Sequence, residues 1–423
     1  MTPIYLKSNL AISIFLIFAI SFTTGCSKSG SNPPPKNTAP SLAITSLSVN
    51  SGPYNTRVSI VGTGFSYTVA DDQVYFNGKL AAIEQASPTE IFADVPLAAG
   101  TGNVTITVSG ANASGPIFTY QPALVVTTFA GSLYQGGSAN GTAESARFNQ
   151  LSGLAIDKNG NLYTADEGNS VIRKITPQGV VTTFAGSGKQ GRTDGTVATA
   201  TFEDPTGVAV DQQGNVFVAD GGLLRKVTPG GNVSTIVTHL NVGNILLGGP
   251  LSTRGIAVDA ADNLYVTDES NQFIGKIAPD GTVTAIAGTT QSSYSSFTSP
   301  NSVVLDKSGN LYIPDGIIWK ITLPNTVSKF AIGGTNGQNF SGPQGISIDS
   351  QGNLYVADTG NLAIKKIAAD GTVSTIAGNT GIAVITNGIV SKASFGFPVG
   401  TAVDASGNIF VTDVNSIREI SFQ

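Results

Sequence analysis

Beyond about residue 40 the chain is written in short apolar runs, many of them alternating, each closed by Gly, Asn, Asp or Pro. That pattern predicts β-strands joined by tight turns rather than helices. Six times the chain repeats an apolar strand ending in Asp, a turn with Gly-Asn, and a second strand ending in Asp. The first copy runs Gly153-Leu154-Ala155-Ile156-Asp157, Lys158-Asn159-Gly160-Asn161, Leu162-Tyr163-Thr164-Ala165-Asp166. The leading aspartates are Asp157, Asp211, Asp259, Asp306, Asp349 and Asp404; their partners are Asp166, Asp220, Asp268, Asp315, Asp358 and Asp413. One turn departs, with Asp262 in the Gly position. A third strand follows (Val171-Ile172-Arg173-Lys174-Ile175), then a turn, then a fourth (Val181-Thr182-Thr183-Phe184-Ala185-Gly186). Four strands in a repeat of about 50 residues is the size of a propeller blade. The fourth-strand motif is out of phase: Val125-Val126-Thr127-Thr128-Phe129-Ala130-Gly131 precedes the first repeat, and the last repeat stops after its third strand. The strand at 124–130 is therefore expected to complete the last blade. The expected fold over 123–423 is a closed six-bladed β-propeller, which leaves no open sheet edge.

Residues 40–121 carry the same alternation without the repeat: Val58-Ser59-Ile60-Val61, Val74-Tyr75-Phe76, Ile91-Phe92-Ala93 and Val104-Thr105-Ile106-Thr107-Val108. This spacing predicts a small immunoglobulin-like β-sandwich. The whole chain is thus expected to be all-β, and the 51 glycines, 20 prolines and 12% charged residues agree with that class.

Two resemblances add to these readings. Ser51-Gly52-Pro53, Gly62-Thr63-Gly64-Phe65, Val74-Tyr75-Phe76-Asn77-Gly78, Val95-Pro96 and Phe118-Thr119-Tyr120 resemble the IPT/TIG family of immunoglobulin-like domains. Gly-Asn-Leu-Tyr-Val-Ala-Asp at 352–358 and Val-Ser-Thr-Ile-Ala-Gly at 373–378 resemble the NHL-repeat propellers. The first resemblance implies a spacer or contact module. The second implies the propeller fold and no particular activity.

The first forty residues are a different kind of sequence. Lys7 precedes an apolar run from Leu10 to Phe22, too short for a transmembrane helix. Thr23-Thr24-Gly25-Cys26 then resembles a bacterial lipobox, with Thr23 where Leu is usual, and Cys26 is the only cysteine. The resemblance implies a signal peptide over 1–25, cleavage before Cys26, and lipid on that residue. Several acyl chains anchor stably where one is marginal. Ser27 to Ala39, with Pro33-Pro34-Pro35, reads as a flexible then semi-rigid linker. The order lipobox, IPT/TIG unit and NHL-type propeller looks like lipoproteins of Bacteroidota, some of them associated with glycan capture. Outer-membrane anchoring is expected; Ser27-Lys28-Ser29-Gly30 lacks acidic residues, which leaves periplasmic and surface orientation both open.

A formal charge of −5 with no basic stripe excludes nucleic acid as the expected partner. Residues that recur in every repeat serve the blade. The aspartates are expected to cap turns, and Phe148, Phe202, Phe297, Phe340 and Phe395 to pack between blades. The row Lys174, Lys226, Lys276, Lys320 and Lys366 recurs too. Trp319 takes the third-strand position that Arg173, Arg225, Lys365 and Arg418 hold elsewhere, and edge packing is its expected role. Gly186-Ser187-Gly188-Lys189-Gln190-Gly191 matches a phosphate-loop pattern, but no helix follows it. With one histidine, His239, and no Gly-x-Ser-x-Gly elbow, no catalytic residues are assigned. No metal ligand set or cofactor is assigned either.

The residues expected to form a binding face are the non-recurring ones in the inter-blade loops: Tyr134, Lys189, Arg192, Asp194, Arg254, Tyr294 and Phe397. The leading expectation is a non-catalytic, monomeric envelope lipoprotein that binds a polysaccharide or a protein partner. The alternative is an extracytoplasmic lyase or hydrolase using carboxylates, with or without Ca²⁺, in the channel.

Overall fold

The computed structural model describes residues 40–237, 241–242, 245–246, 253–288, 297–324, 326–333, 339–378 and 384–423. Cys26, the linker, His239 and Tyr294 lie outside the described residues. Among those described, no helix is long and apolar enough to cross a membrane.

Residues 43–120 form two sheets. One orders Ala43–Leu47, Arg57–Thr63, Glu90–Asp94 and Ala82–Ser87; the other orders Ser51–Gly52, Ala111–Tyr120, Gly102–Val108, Asp72–Phe76 and Lys79–Leu80. Alternation along Arg57–Thr63 sends Val58 and Ile60 inward, where they meet Val74, Phe76, Ile91, Ile106 and Phe118. Phe76 and Phe118 meet edge to face at 5.1 Å. With no cysteine among these residues, apolar packing holds the sandwich together.

From Leu124 onward the strands fall into six antiparallel blades, numbered here in chain order. Their inner strands are Leu151–Ile156, Pro205–Val210, Thr253–Val258, Val304–Leu305, Pro343–Ile348 and Pro398–Val403. The second strands (Leu162–Asp166, Val216–Asp220, Leu264–Asp268, Leu311–Asp315, Leu354–Asp358 and Ile409–Asp413) are buried at every position. Sheet faces on both sides cover them, which is why they read as continuous apolar runs. Each apolar cluster of the ring is shared by two neighbouring blades. Ile172 and Phe202, for instance, join blades 1 and 2, while Phe148 and Phe410 join blades 1 and 6.

Blade 6 is closed across the chain. Leu124–Gly131 is its fourth strand and pairs with Ser416–Phe422, from Leu124 opposite Phe422 to Gly131 opposite Ser416. Ala123 and Gln423 exchange backbone hydrogen bonds at 3.0 and 3.1 Å just beyond. Blades 1, 2 and 6 add a two-residue fifth strand outside the fourth (Gly141–Thr142, Gly195–Thr196 and Gly388–Ile389). Blade 4 departs most from the repeat. Pro314 stands within its second strand and brings no N–H, and its inner strand shrinks to Val304–Leu305.

Candidate functional site

The twelve recurring aspartates divide into two jobs. Each leading Asp closes its own turn: Asp157 accepts the backbone N–H of Asn159 (2.8 Å) and Asn161 (2.9 Å) and the Asn161 amide (2.8 Å). Asp211, Asp259, Asp306, Asp349 and Asp404 repeat this pattern. Burial pulls these carboxyls upward, yet the Asn and backbone donors win and hold Asp157, Asp259, Asp306 and Asp349 below the usual range. Burial beside these carboxylates pushes the Tyr163, Tyr265 and Tyr355 hydroxyls up to about 12.

In the second set the expectation holds for Asp268, which caps its own hairpin turn by accepting the Asn271 backbone N–H at 3.0 Å, and is corrected for the other five. Those aspartates are buried anchors that accept N–H groups from the incoming inter-blade loop, as Asp220 does from Glu203 (2.7 Å) and Asp204 (2.9 Å). In four blades a third-strand cation meets them: Arg173–Asp166 at 2.7 Å, Arg225–Asp220 at 2.8 Å, Lys365–Asp358 at 2.8 Å and Arg418–Asp413 at 3.0 Å. The same cations lie over Phe148, Phe202, Phe340 and Phe395. Gly275 and Trp319 fill that position in blades 3 and 4. Trp319 packs half-buried, edge to face on Phe297 at 5.7 Å.

The channel is built from three rings on the inner strands. Gly153, Gly207, Gly255, Gly345 and Gly400 occupy one ring position, with Ser302 in blade 4. A Cβ at Gly207 would meet the Arg254 carbonyl at 2.1 Å, and one at Gly345 would meet the Val399 carbonyl at 2.3 Å. Glycine is needed there because neighbouring backbones touch. The next residue of each strand forms an apolar plug: Leu154, Val208, Ile256, Val303 and Ile346, with Thr401 the one polar member. On the other side of the glycines, facing the inter-blade loops, lies a ring that differs in every blade: Ser152, Thr206, Arg254, Asn301, Gln344 and Val399.

Rim and plug together make a cup of about 80 Å³ with an apolar floor. A water needs roughly 10–15 Å³, so the cup takes several waters or the tip of a larger ligand. Thr206 and Asn301 are oriented by bonds to the carbonyls of Thr253 (3.1 Å) and Ser299 (3.0 Å). The side chains of Ser152 and Gln344 make no hydrogen bond among the described residues. Arg254 is exposed and ion-paired with Glu269, which also accepts the Ser299 hydroxyl at 2.7 Å. Burial raises Glu269, but Ser299 and Arg254 outweigh it and hold this carboxyl below its ordinary value. Nearby Glu167 is pushed up by burial and by Asp204.

Among the described residues expected in the inter-blade loops, Arg254 alone lines this cup, and it stands not in a loop but on the inner strand Thr253–Val258. Arg192 is exposed, ion-paired with Glu203, and donates to the Gly221 carbonyl at 3.0 Å. Lys189 and Phe397 are exposed, and Phe397 gives its backbone N–H to Asp413 at 2.7 Å. Tyr134 is 68% exposed on the junction of blades 6 and 1. Asp194 is corrected: its carboxylate accepts from Arg225 (3.0 Å) and Thr235 (2.9 Å), a position that Asn140 and Asn387 fill beside Arg173 and Arg418. It recurs after all and serves the blade. Ser152, Thr206, Asn301 and Gln344 escaped the sequence reading. Their one signal is being unlike one another immediately before a recurring glycine, or in blade 4 before Ser302. Among the described residues no group of three or more His, Cys, Asp or Glu side chains is arranged to hold a metal.

The class these parts define is an all-β chain in which an immunoglobulin-like sandwich precedes a β-propeller. Residues 42–121 match the IPT/TIG domain and residues 340–367 match the NHL repeat. Among solved structures, an auxiliary nutrient binding protein from Bacteroides thetaiotaomicron is similar, with a TM-score of 0.64 at 16% identity over 91% of this chain and 98% of that one. An auxiliary nutrient binding protein from Bacteroides ovatus gives 0.58 at 18% identity over 92% of this chain and 100% of that one. At these identities the likeness establishes the fold. The chloroplastic protein Suppressor of Quenching 1 of Arabidopsis thaliana is 32% identical over 102 residues, 23% of this chain. Mouse teneurin-3 is 26% identical over 170 residues, 35% of this chain. The matches span 10% and 6% of those much longer proteins.

Proposed function

We propose that this chain is a non-catalytic, lipid-anchored protein of the bacterial cell envelope whose propeller binds a saccharide at the channel mouth. The observation that carries the reading is the ring Ser152, Thr206, Arg254, Asn301 and Gln344 over an apolar floor. Hydroxyl, amide and guanidinium groups suit sugar hydroxyls, and an apolar floor suits the C–H face of a sugar ring. The cup admits a chain end rather than a whole ring, so the ligand is read from its terminus. Positions identical in every blade are occupied by the fold's own needs; this ring is not held to one residue type by them. The Bacteroides proteins of the same fold that are auxiliary nutrient binding proteins support the assignment to capture rather than chemistry. Anchoring through Cys26, with 27–39 as a tether from the outer membrane, rests on the lipobox resemblance.

The test is binding of residues 38–423 to an array of polysaccharides and oligosaccharides, with and without Ca²⁺. Selective retention of an intact glycan, lost on Arg254→Ala with Gln344→Ala, is the expected result. Cleavage of the glycan would replace this reading with the lyase or hydrolase alternative. No retention under either condition would direct the search to protein partners. Radiolabelled palmitate incorporated into the wild type but not Cys26→Ala would establish the anchor.

A further inference from the structure

A second pocket lies away from the channel, at the seam where the last blade is closed. It encloses about 340 Å³ and is lined by Thr128, Tyr134, Gln135, Glu144, Arg147 and Asn387, among others. That size falls within the range of about 300–1,000 Å³ usual for small-ligand sites.

Tyr134, Gln135, Arg147 and Asn387 are held in place before any ligand arrives. The Tyr134 hydroxyl donates to the Ile385 carbonyl at 2.8 Å, which fixes a ring that is still 68% exposed. Arg147 donates to the carbonyls of Glu144 (2.6 Å) and Ala146 (2.7 Å) and to the Gln135 side chain (3.1 Å). Asn387 accepts from the buried Arg418 at 2.8 Å and donates to Thr128 at 3.1 Å. The Glu144 carboxylate is exposed and makes no hydrogen bond among the described residues.

The repeat tells which of these the fold requires. Asn387 has counterparts in Asn140 and Asp194, so it belongs to the blade. The positions of Tyr134, Glu144 and Arg147 are held one blade later by Lys189, Ala198 and Thr201. The blade forms without the aromatic ring, the carboxylate or the guanidinium, so all three are available for another task.

We propose that this seam pocket is a second saccharide subsite, in which Tyr134 is a stacking platform and Glu144, Gln135 and Arg147 bind ring hydroxyls. The ligand class rests on the saccharide reading of the channel mouth; the location does not. An immobilised exposed aromatic ring offers apolar contact at low entropic cost. Charges of both signs within one pocket oppose a strongly cationic or anionic ligand and favour a neutral polyhydroxyl one. At 340 Å³ against the cup's 80 Å³, the seam has the room for a ring that the mouth lacks.

The test uses the full chain in micelles of a non-saccharide detergent, with maltohexaose, xylohexaose and laminarihexaose as probes. Saturation-transfer NMR and titration calorimetry read the binding. Tyr134→Ala and Glu144→Gln are expected to weaken it about tenfold, the scale of one lost aromatic or hydrogen-bonded contact. Tyr134→Phe, which keeps the ring but frees it from the Ile385 carbonyl, should weaken binding less than Tyr134→Ala. An Arg254→Ala, Gln344→Ala double variant separates the sites. Binding that survives the mouth substitutions but falls with Tyr134→Ala supports the seam and sinks the mouth reading. Partial losses from both sets support two subsites. Binding that is abolished at the mouth and untouched by Tyr134→Ala and Glu144→Gln overturns the seam alone. If none of the three probes binds the wild type, the seam and the saccharide reading fall together.

Discussion

The inner strands carry two rings that have diverged in opposite ways. The leading aspartates, Asp157 through Asp404, are identical in six blades and make the same turn six times. Five residues earlier on the same strands, Ser152, Thr206, Arg254, Asn301, Gln344 and Val399 are all different. A position that must satisfy the blade's own hydrogen bonds has one solution, and repetition copies it. A position facing the channel mouth is not tied to one recurring partner: Thr206 and Asn301 bond different carbonyls and Arg254 pairs with Glu269, so it is free to differ. The third-strand position sharpens the point: the Arg–Asp pair of blades 1, 2 and 6 is replaced by Gly275 and Trp319 in blades 3 and 4, and the partner phenylalanine remains in blade 4.

The contrast can be broken most severely in the shared scaffold. Asp166→Ala would strand the buried Arg173 guanidinium without its carboxylate, and removal of one partner of a buried pair costs about 3–5 kcal/mol. Urea denaturation should register that loss. Asp268 faces Gly275 instead of a cation and accepts from Asn271 at 2.8 Å, so Asp268→Asn should cost clearly less in the same assay. Gly207→Ala comes next: its Cβ would meet the Arg254 carbonyl at 2.1 Å, and relief by backbone movement should cost about 1–3 kcal/mol of stability. Gln344→Ala reverses the pattern. Unfolding stability should stay within about 0.5 kcal/mol of wild type, while saccharide affinity falls about tenfold.

The smallest effect concerns acid. The folded state depresses the carboxyls of Asp157, Asp259, Asp306 and Asp349. Their contribution is present above the unfolded value near 3.9 and is lost as pH falls through the lower folded value. Asp157→Asn should therefore lower the melting temperature slightly at neutral pH and flatten its decline below about pH 4. An unchanged acid limb would detach the leading ring from stability.

Much of the scaffold was legible in the chain because repetition writes the same solution many times. The six Asp–Gly-Asn–Asp units announce the blades, and the displaced fourth strand at Val125 announces how the ring closes. The phenylalanine row was legible as packing for the same reason. The division of labour between the two aspartate sets was not. Asp220 and Arg225 meet across separate strands, and a pattern of recurrence does not say which residues touch. Asp194 looked unique because it is an acid where two other blades carry Asn140 and Asn387, although all three stand eight residues before the recurring phenylalanine. The mouth was hidden for the opposite reason. Thr206 or Asn301, read alone, is one polar residue at the start of an apolar strand; only the closed ring brings six such positions around one cup.

The most direct test of the account is a paired measurement on the Arg254→Ala, Gln344→Ala double variant. Its melting temperature and its affinity for the oligosaccharide retained by the wild type are determined together. The account predicts an unchanged melting temperature and at least a tenfold loss of affinity. Undiminished binding by a fully stable double variant would contradict it, because the ring that the fold leaves free would then not be the ring that binds.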